Sequence, residues 1–294
     1  MKITPHTKLV GLLGWPVTHS LSPLMHNLAF EALGLDYLYL NFEVRTDRLE
    51  GALGGLRALN MAGANVTLPH KEKILKFLDH IDPEAELIGA VNTIKNDAGR
   101  LIGYNTDGRG FGESLKQEND FDPHGKKVTM VGAGGAARAI LVNLASGGAR
   151  RIALANRTFT RAKELAQEFR DKFPKVEFMA FSLGDLAKGR YMDDPDLFVD
   201  STSVGLDDRV TLDIPLELLP VSCIVYNVIY NPLRTHLLRQ AEAIGLRAAN
   251  GLGMLLYQGA RSFKIWTGME APIEVMRDAV TRELERMALK RGSG

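Results

Sequence analysis

The chain has 294 residues, 45% of them hydrophobic and 24% charged, with a formal net charge of +1. That length suits two ordinary domains of normal globular composition, and the near-zero charge provides neither a basic field for nucleic acid nor an acidic one for cationic partners. With Cys223 as the only cysteine a disulfide framework and a cysteine metal cluster are excluded; with no signal-peptide pattern and no apolar run of membrane-spanning length, a cytoplasmic, soluble protein is expected.

In chain order, residues 8–14 form a predicted strand ending in a glycine turn, followed by His19-Ser20-Leu21-Ser22-Pro23 and an apolar helix over 24–33. Ser22 before Pro23 reads as a helix N-cap and N1 pair. Ser20 has no such structural reason, and two hydroxyls at a helix N-terminus suit a small carboxylate. A strand over 37–42, a helix over 46–59 and a strand over 62–68 follow. Pro69 stops that strand, and Lys71 opens a helix reaching residue 78. Short strands at 90–94 and 101–104 flank a turn at 96–99, and the chain then breaks at Asn105-Thr106-Asp107-Gly108. Polar residues directly after apolar strands belong at the carboxyl edge of an α/β sheet, where ligands bind. The alternation over residues 8–105 therefore gives one open α/β layer.

A second set of strands begins near residue 128. Val128-Thr-Met-Val131 runs into Gly132-Ala133-Gly134-Gly135-Ala136-Ala137 and then into helix formers to Leu144. This is a strand, a glycine turn and a helix, the context in which G-x-G-x-x-[GA] carries meaning. Gly132 permits the tight turn, Gly134 admits a pyrophosphate, and Ala137 lets the helix pack close to the sheet. Free N–H groups and the dipole at the helix start make an anion site.

The next strand, 151–155, ends at Asn156-Arg157-Thr158. An NAD enzyme usually has an acid here to hold the ribose, but no carboxylate appears before Glu164. Arg157 and Arg161 stand there instead, and guanidinium groups suit a 2′-phosphate, so NADP is favoured over NAD. Strands near 176–181, 197–202 and 223–227 complete a doubly wound nucleotide domain, with Cys223 as a buried thiol in the last. Helices over 233–244, 254–266 and 272–289 come after that sheet, and the terminal ones are expected to return to the first domain and cover its sheet. The expected division is 1–108, 109–250 and 251–294. The seven histidines form no His-x-His or His-x-x-x-His pair, so no metal site is expected.

Taken together, His19-Ser20-Leu-Ser22-Pro23, Asn65-Val-Thr67-Leu-Pro69-His-Lys71, Ala90-Val-Asn92-Thr93, Asn105-Thr-Asp107-Gly108, the glycine turn with Arg138, Asn156-Arg-Thr158, Tyr226-Asn-Val-Ile-Tyr230-Asn-Pro232, and Gly251-Leu-Gly-Met254 with Gln258 resemble the shikimate dehydrogenase family. The resemblance spans residues 10 to 270, and the ordered set carries it, since each motif alone is weak. It implies two α/β domains, a substrate domain followed by a Rossmann-like NADP domain, closing on a small-molecule substrate, shikimate or 3-dehydroshikimate, in a monomer or homodimer. It implies Lys71 and Asp107 as the catalytic pair; Ser20, Ser22 and Tyr230 on the substrate carboxylate; and Thr67, Asn92 and Gln258 on ring hydroxyls. On the cofactor side it implies Thr202, Ser203, Val228, Gly251 and Met254 along the nicotinamide. Read alone, Lys71 is a solvated lysine, Asp107 an Asx turn or helix cap, and Met254 ordinary core.

Two departures touch the nicotinamide wall: Asp200-Ser-Thr-Ser203 stands where members often have Asn-Ala-Thr-Ser, and Leu206-Asp-Asp-Arg209 replaces the usual Met segment. The readings weighed against this one are a quinate or dual quinate/shikimate dehydrogenase, NAD-linked, and a non-catalytic ligand-sensing domain. The second would lack the Lys or Asp and carry a DNA-binding segment.

Overall fold

The structure, a computed structural model, describes residues 3–206 and 210–292; Asp207, Asp208 and Arg209, part of the second departure above, lie outside the described residues. In chain order the elements are β1 (Lys8–Gly14), α1 (Ser22–Ala32), β2 (Tyr37–Glu43), α2 (Leu49–Ala58), β3 (Gly63–Val66), β4 (His80–Ile81), α3 (Pro83–Ile88), β5 (Thr93–Asp97), β6 (Arg100–Tyr104) and α4 (Asp107–Asn119). There follow β7 (Lys127–Val131), α5 (Gly135–Ser146), β8 (Arg151–Asn156), α6 (Phe159–Lys172), β9 (Glu177–Ser182), α7 (Leu183–Ala187), β10 (Leu197–Asp200), β11 (Ile224–Asn227), α8 (His236–Ala243), β12 (Arg247–Ala249), α9 (Leu252–Thr267) and α10 (Ile273–Gly292). The chain divides into two compact units, Met1–Gly110 with Leu256–Gly294, and Phe111–Leu255. It passes between them inside α4 and inside α9.

The first unit holds a mixed sheet in the order β2-β1-β3-β5-β6-β4. β1 pairs parallel with β2 and β3, whereas β5 is antiparallel to both β3 and β6. The carboxyl ends of β1, β3 and β6 and the start of β5 therefore share one edge. On one face α2 buries Leu49, Leu53 and Leu56 against Leu13, Val66 and Ile94. On the other, Phe30 of α1 stacks on Phe263 of α9 at 5.0 Å. Trp266 of the same helix donates Nε1–H to the Ile94 carbonyl at 2.9 Å. Gly63 makes that contact possible, because a Cβ there would stand 2.5 Å from Trp266 Nε1. Each fully buried side chain of this size contributes about 1.5–3 kcal/mol, which holds the terminal helices on the first sheet.

The second unit holds a six-stranded parallel sheet in the order β12-β11-β10-β7-β8-β9. Its strands are buried on both faces, so they read as continuous apolar runs. Chain order reverses between β7 and β10, and the crevice outside their carboxyl ends is where such a fold takes a ligand. α6 buries Ala162, Leu165, Ala166 and Phe169, one stripe at helical spacing.

Several elements differ from the sequence reading. Ser22 is not the N-cap: α1 begins at Ser22 itself with Leu21 as N-cap and no side-chain cap. The helix expected from Lys71 is only a 3-10 turn over Lys73–Phe77, in which Ile74 alone is buried; one anchor does not offset helix nucleation. The helix α4 was hidden by Gly108, Gly110 and Gly112, poor helix formers, and is held by Phe111, Ser114 and Leu115, all at most 1% exposed. α3 had legible ends, since Asp82 caps it by accepting from the Glu84 N–H and Gly89 closes it at φ 72°. β12 joins the parallel sheet as an edge strand that the sequence reading left inside a loop.

Candidate active site

In the first unit, the shared sheet edge gathers the polar residues. Lys71 Nζ lies 2.6 Å from Asp107 Oδ2, and their side chains are 14% and 6% exposed. Two opposite charges so placed attract far more strongly than in water. Asp107 opens α4, where the positive end of the helix dipole favours a carboxylate. Its other oxygen, Oδ1, accepts from Asn92 Nδ2 at 2.8 Å, and its backbone N–H donates to Asn105 Oδ1 at 3.0 Å.

Asn92, immediately before β5, is the hub. Its Nδ2 also donates to Thr106 Oγ1 at 2.9 Å and to Gln258 Oε1 at 3.3 Å. Its Oδ1 accepts from the Thr106 N–H at 2.8 Å and from Thr93 Oγ1 at 2.9 Å. Beneath it Asn65 donates to the Asn92 carbonyl, to Thr93 Oγ1 and to Ser262 Oγ, and accepts from the Tyr39 hydroxyl. A buried network of mutually hydrogen-bonded groups of this kind holds Asn92 and Asp107 in place. Gln258 is brought in on α9 because Gly110 has no side chain; a Cβ there would stand 2.7 Å from the Gln258 backbone.

The loop carrying Lys71 is anchored on both sides. His70 is fully buried and its Nε2 lies 2.6 Å from the Val44 carbonyl, while the Lys71 carbonyl accepts from the Val91 N–H at 2.8 Å. Thr67 follows β3, its N–H on the Leu13 carbonyl, and its methyl crowds Gly14. Ser20 and Ser22 lie 3.2 Å apart through their hydroxyls, and Ser20 Oγ accepts from the Ser22 N–H. Ser20 is thus the residue that satisfies the helix start, and the Ser22 hydroxyl is the one that caps nothing.

The second unit builds its site from backbone. Gly132, at φ 114°, ends β7 where a Cβ would lie 2.3 Å from Ser201 Oγ. Around Gly134, by contrast, a Cβ would meet no atom within 4 Å, so the missing side chain leaves open room rather than relieving a clash. Gly134 is also the N-cap of α5, without a side-chain cap and without an acid in the first turn. Those free N–H groups and that space fit a pyrophosphate.

At the end of β8 the Asn156 amide donates to the Thr158 carbonyl at 3.0 Å, folding a turn on which Arg157 is exposed, and Arg161 is exposed in the first turn of α6. α6 has no acid in its first turn, so no carboxylate there repels an anion at the helix start. Both observations fit a 2′-phosphate. Thr202 and Ser203 follow β10, and Val228 follows β11; a Cβ on Gly251 would lie 1.9 Å from the Val228 carbonyl oxygen, so Gly251 and Val228 are held together. Met254 is 7% exposed on α9, and Tyr230 is half-buried in the segment after β11.

Comparison with known proteins agrees across the chain. Profiles described as the shikimate dehydrogenase substrate binding domain, shikimate / quinate 5-dehydrogenase and the shikimate 5′-dehydrogenase C-terminal domain match residues 12–94, 114–204 and 251–281. The shikimate dehydrogenase (NADP(+)) of Methanopyrus kandleri is 48% identical over 97% of this chain and 98% of its own. The chain belongs to the shikimate dehydrogenase family. A crystal structure of a shikimate dehydrogenase in complex with NADP+ superposes with a TM-score of 0.88 at 43% identity, covering 96% of this chain and 98% of that one. The shikimate 5-dehydrogenase of Listeria monocytogenes, in complex with shikimate and NAD, gives 0.87 at 41% identity over 95% and 98%.

Within this family fold, the first unit brings together Lys71, Asp107, Asn92, Thr67 and Gln258 at one sheet edge, with Ser20 and Ser22 at the start of α1. α1 and α9 meet there, a Cβ on Gly259 falling 2.4 Å from Met25 Cε. Tyr230 and the cofactor residues belong to the second unit. The sequence reading missed Asn65, Thr93, Asn105, Thr106 and Ser262 as supports. Asn65, Thr93, Asn105 and Thr106 all sit inside the motifs given above and could have been found; Ser262 has no signal other than being a polar residue one helical turn after Gln258.

Proposed function

We propose that this chain is an NADP-dependent shikimate dehydrogenase, interconverting shikimate and 3-dehydroshikimate in aromatic amino acid biosynthesis. The observation that carries the proposal is the Lys71–Asp107 contact at 2.6 Å, held in place by Asn92 at the carboxyl edge of the first sheet. NADP, when bound, supplies the hydride acceptor for the carbinol carbon and, reduced, the hydride for the ketone. The hydroxyl being oxidised must lose its proton, and the ketone being reduced must regain one. That proton passes between the substrate oxygen and the Lys71–Asp107 pair: in the oxidation the pair takes it up, in the reduction the pair gives it back, and the Asp107 carboxylate stabilises the protonated Lys71.

Asn92 fixes the carboxylate rotamer and, with Thr67 and Gln258, offers neutral donors and acceptors to ring hydroxyls. A site of that kind rejects analogues lacking a hydroxyl more strongly than apolar contacts would. Ser20 and Ser22 at the α1 start take the substrate carboxylate, and Tyr230 is proposed for the same group. Gly132, Ala133, Gly134, Gly135, Ala136 and Ala137 would hold the pyrophosphate, and Asn156, Arg157, Thr158 and Arg161 the 2′-phosphate. Thr202, Ser203, Val228, Gly251 and Met254 would line the nicotinamide. The enzyme acts in the cytoplasm as a monomer or homodimer. In the described residues no helix is long and apolar enough to cross a membrane.

Initial rates with shikimate and quinate, each crossed with NADP+ and NAD+, test the reading. Shikimate with NADP+ should give the highest kcat/KM; a preference for quinate with NAD+ overturns it.

A further inference from the structure

Asp200 closes β10 and is 1% exposed, yet among the described residues no cation meets it. Its partners are neutral donors. The Thr202 N–H donates to Oδ1 at 2.9 Å and Asn227 Nδ2 to Oδ2 at 3.3 Å. Its backbone carbonyl accepts from the Val228 N–H at 3.0 Å. The bonds continue outward. Thr202 Oγ1 accepts from the Val204 N–H, and Asn227 Oδ1 accepts from the Ile229 N–H. One carboxylate thus ties the segment after β10 to the segment after β11. A buried carboxylate with only neutral donors is costly to desolvate, and a neutral amide would fill the place at lower desolvation cost.

We propose that Asp200 is a positioning residue for the nicotinamide half of the coenzyme: its carboxylate, accepting from Thr202 after β10 and from Asn227 at the end of β11, holds Thr202 and, through Asn227, the start of the segment after β11 in the arrangement that binding uses. The inference rests on the coenzyme reading given above. Burial pushes Asp200 up to about 6, which makes the tie sensitive to pH. Above that value both oxygens accept; below it a proton occupies one of them, where a donor already points, and one tie is lost. Among the described residues lining the cavity beside Asp200, His236 on α8 is the other titratable group; Asn227, Thr235 and Gln240 are neutral, and the rest of the lining is apolar apart from Thr211.

The experiment is calorimetric titration of NADP+ into the native chain, Asp200→Asn and His236→Gln, between about pH 5 and about pH 8. Adenosine 2′,5′-bisphosphate, which has the phosphate but no nicotinamide, runs as the parallel probe. Because a phosphate monoester itself titrates near pH 6, the readout is the ratio of the native Kd to that of Asp200→Asn. For NADP+ that ratio should rise as pH falls through 6, by up to about tenfold per unit. It should stay flat for the bisphosphate, and His236→Gln should behave as native. A flat ratio for NADP+, an equal rise for the bisphosphate, or loss of the native pH dependence in His236→Gln overturns the inference. Absence of saturable NADP+ binding by the native chain would instead overturn the coenzyme reading, and this inference with it.

Discussion

The two units prepare their sites by opposite means. The first relies on side chains: Lys71 and Asp107 owe their positions to a buried network in which Asn92, Thr93, Thr106, Asn65 and Ser262 satisfy one another. The second relies on backbone and on missing side chains: an uncapped helix start, a glycine at positive φ, open room at Gly134, and Gly251 against the Val228 carbonyl. A group that must carry a proton needs a particular functional group at a particular distance, and only a side chain provides that. A long anionic coenzyme needs donors and clearance along its length, which backbone supplies with little sequence information. The two sites should therefore fail differently when broken.

The largest effect is expected at the charged pair. Asp107→Asn keeps the shape and the Asn92 contact but removes the carboxylate, so kcat should fall by about 10²–10⁴-fold, with the Kd for NADP+ unchanged by calorimetry. Next comes the backbone site. Gly251→Ala forces a methyl group against the Val228 carbonyl, costing about 3 kcal/mol in stability or in NADP+ affinity, while shikimate binding to the first unit stays as it was. The same substitution with normal NADP+ affinity and normal melting would remove the contrast.

A third test concerns acid. His26 is fully buried against Tyr39, with ring centroids 4.6 Å apart, and among the described residues neither ring nitrogen has a hydrogen-bond partner. Burial lowers it from 6.5 to about 3. The unfolded chain therefore takes up the proton first, so the contribution is whole above pH 6.5 and is lost as pH falls towards 3. At pH 5 this amounts to about 2 kcal/mol. Urea titrations should show that loss in the native chain and not in His26→Phe, with hydrogen exchange locating it in the first unit. The smallest effect belongs to the arginines. Arg157→Ala or Arg161→Ala should each weaken NADP+ about tenfold, one charge-assisted hydrogen bond in size, and leave NAD+ alone.

What the sequence displayed, and what it concealed, follows the same division. The glycine turn at 132–135 and the strands of the second sheet were readable, because a parallel sheet buried on both faces leaves continuous apolar runs and the turn leaves glycines. Lys71 and Asp107 were readable only as members of an ordered set of motifs, since each alone is an ordinary polar residue. The network beneath them was readable only in part: Asn65, Thr93, Asn105 and Thr106 stand within those motifs, but nothing marks Ser262, which meets Asn65 only because α9 returns to the first sheet. α4 went unread because its glycines erase the helical pattern, although Gly110 is what lets Gln258 approach. The roles of Ser20 and Ser22 at the α1 start were exchanged because Pro23 suggested a boundary one residue too late.

The most direct measurement sets Lys71→Ala beside the native chain, with shikimate Kd from calorimetry and NADPH formation from initial rates on the same preparations. The native chain should reduce NADP+ with shikimate as the only alcohol present, and the variant should bind shikimate within a few-fold of native while its turnover falls by about 10²–10⁴-fold. Native-like turnover in the variant would contradict a proton passed between the substrate oxygen and the Lys71–Asp107 pair.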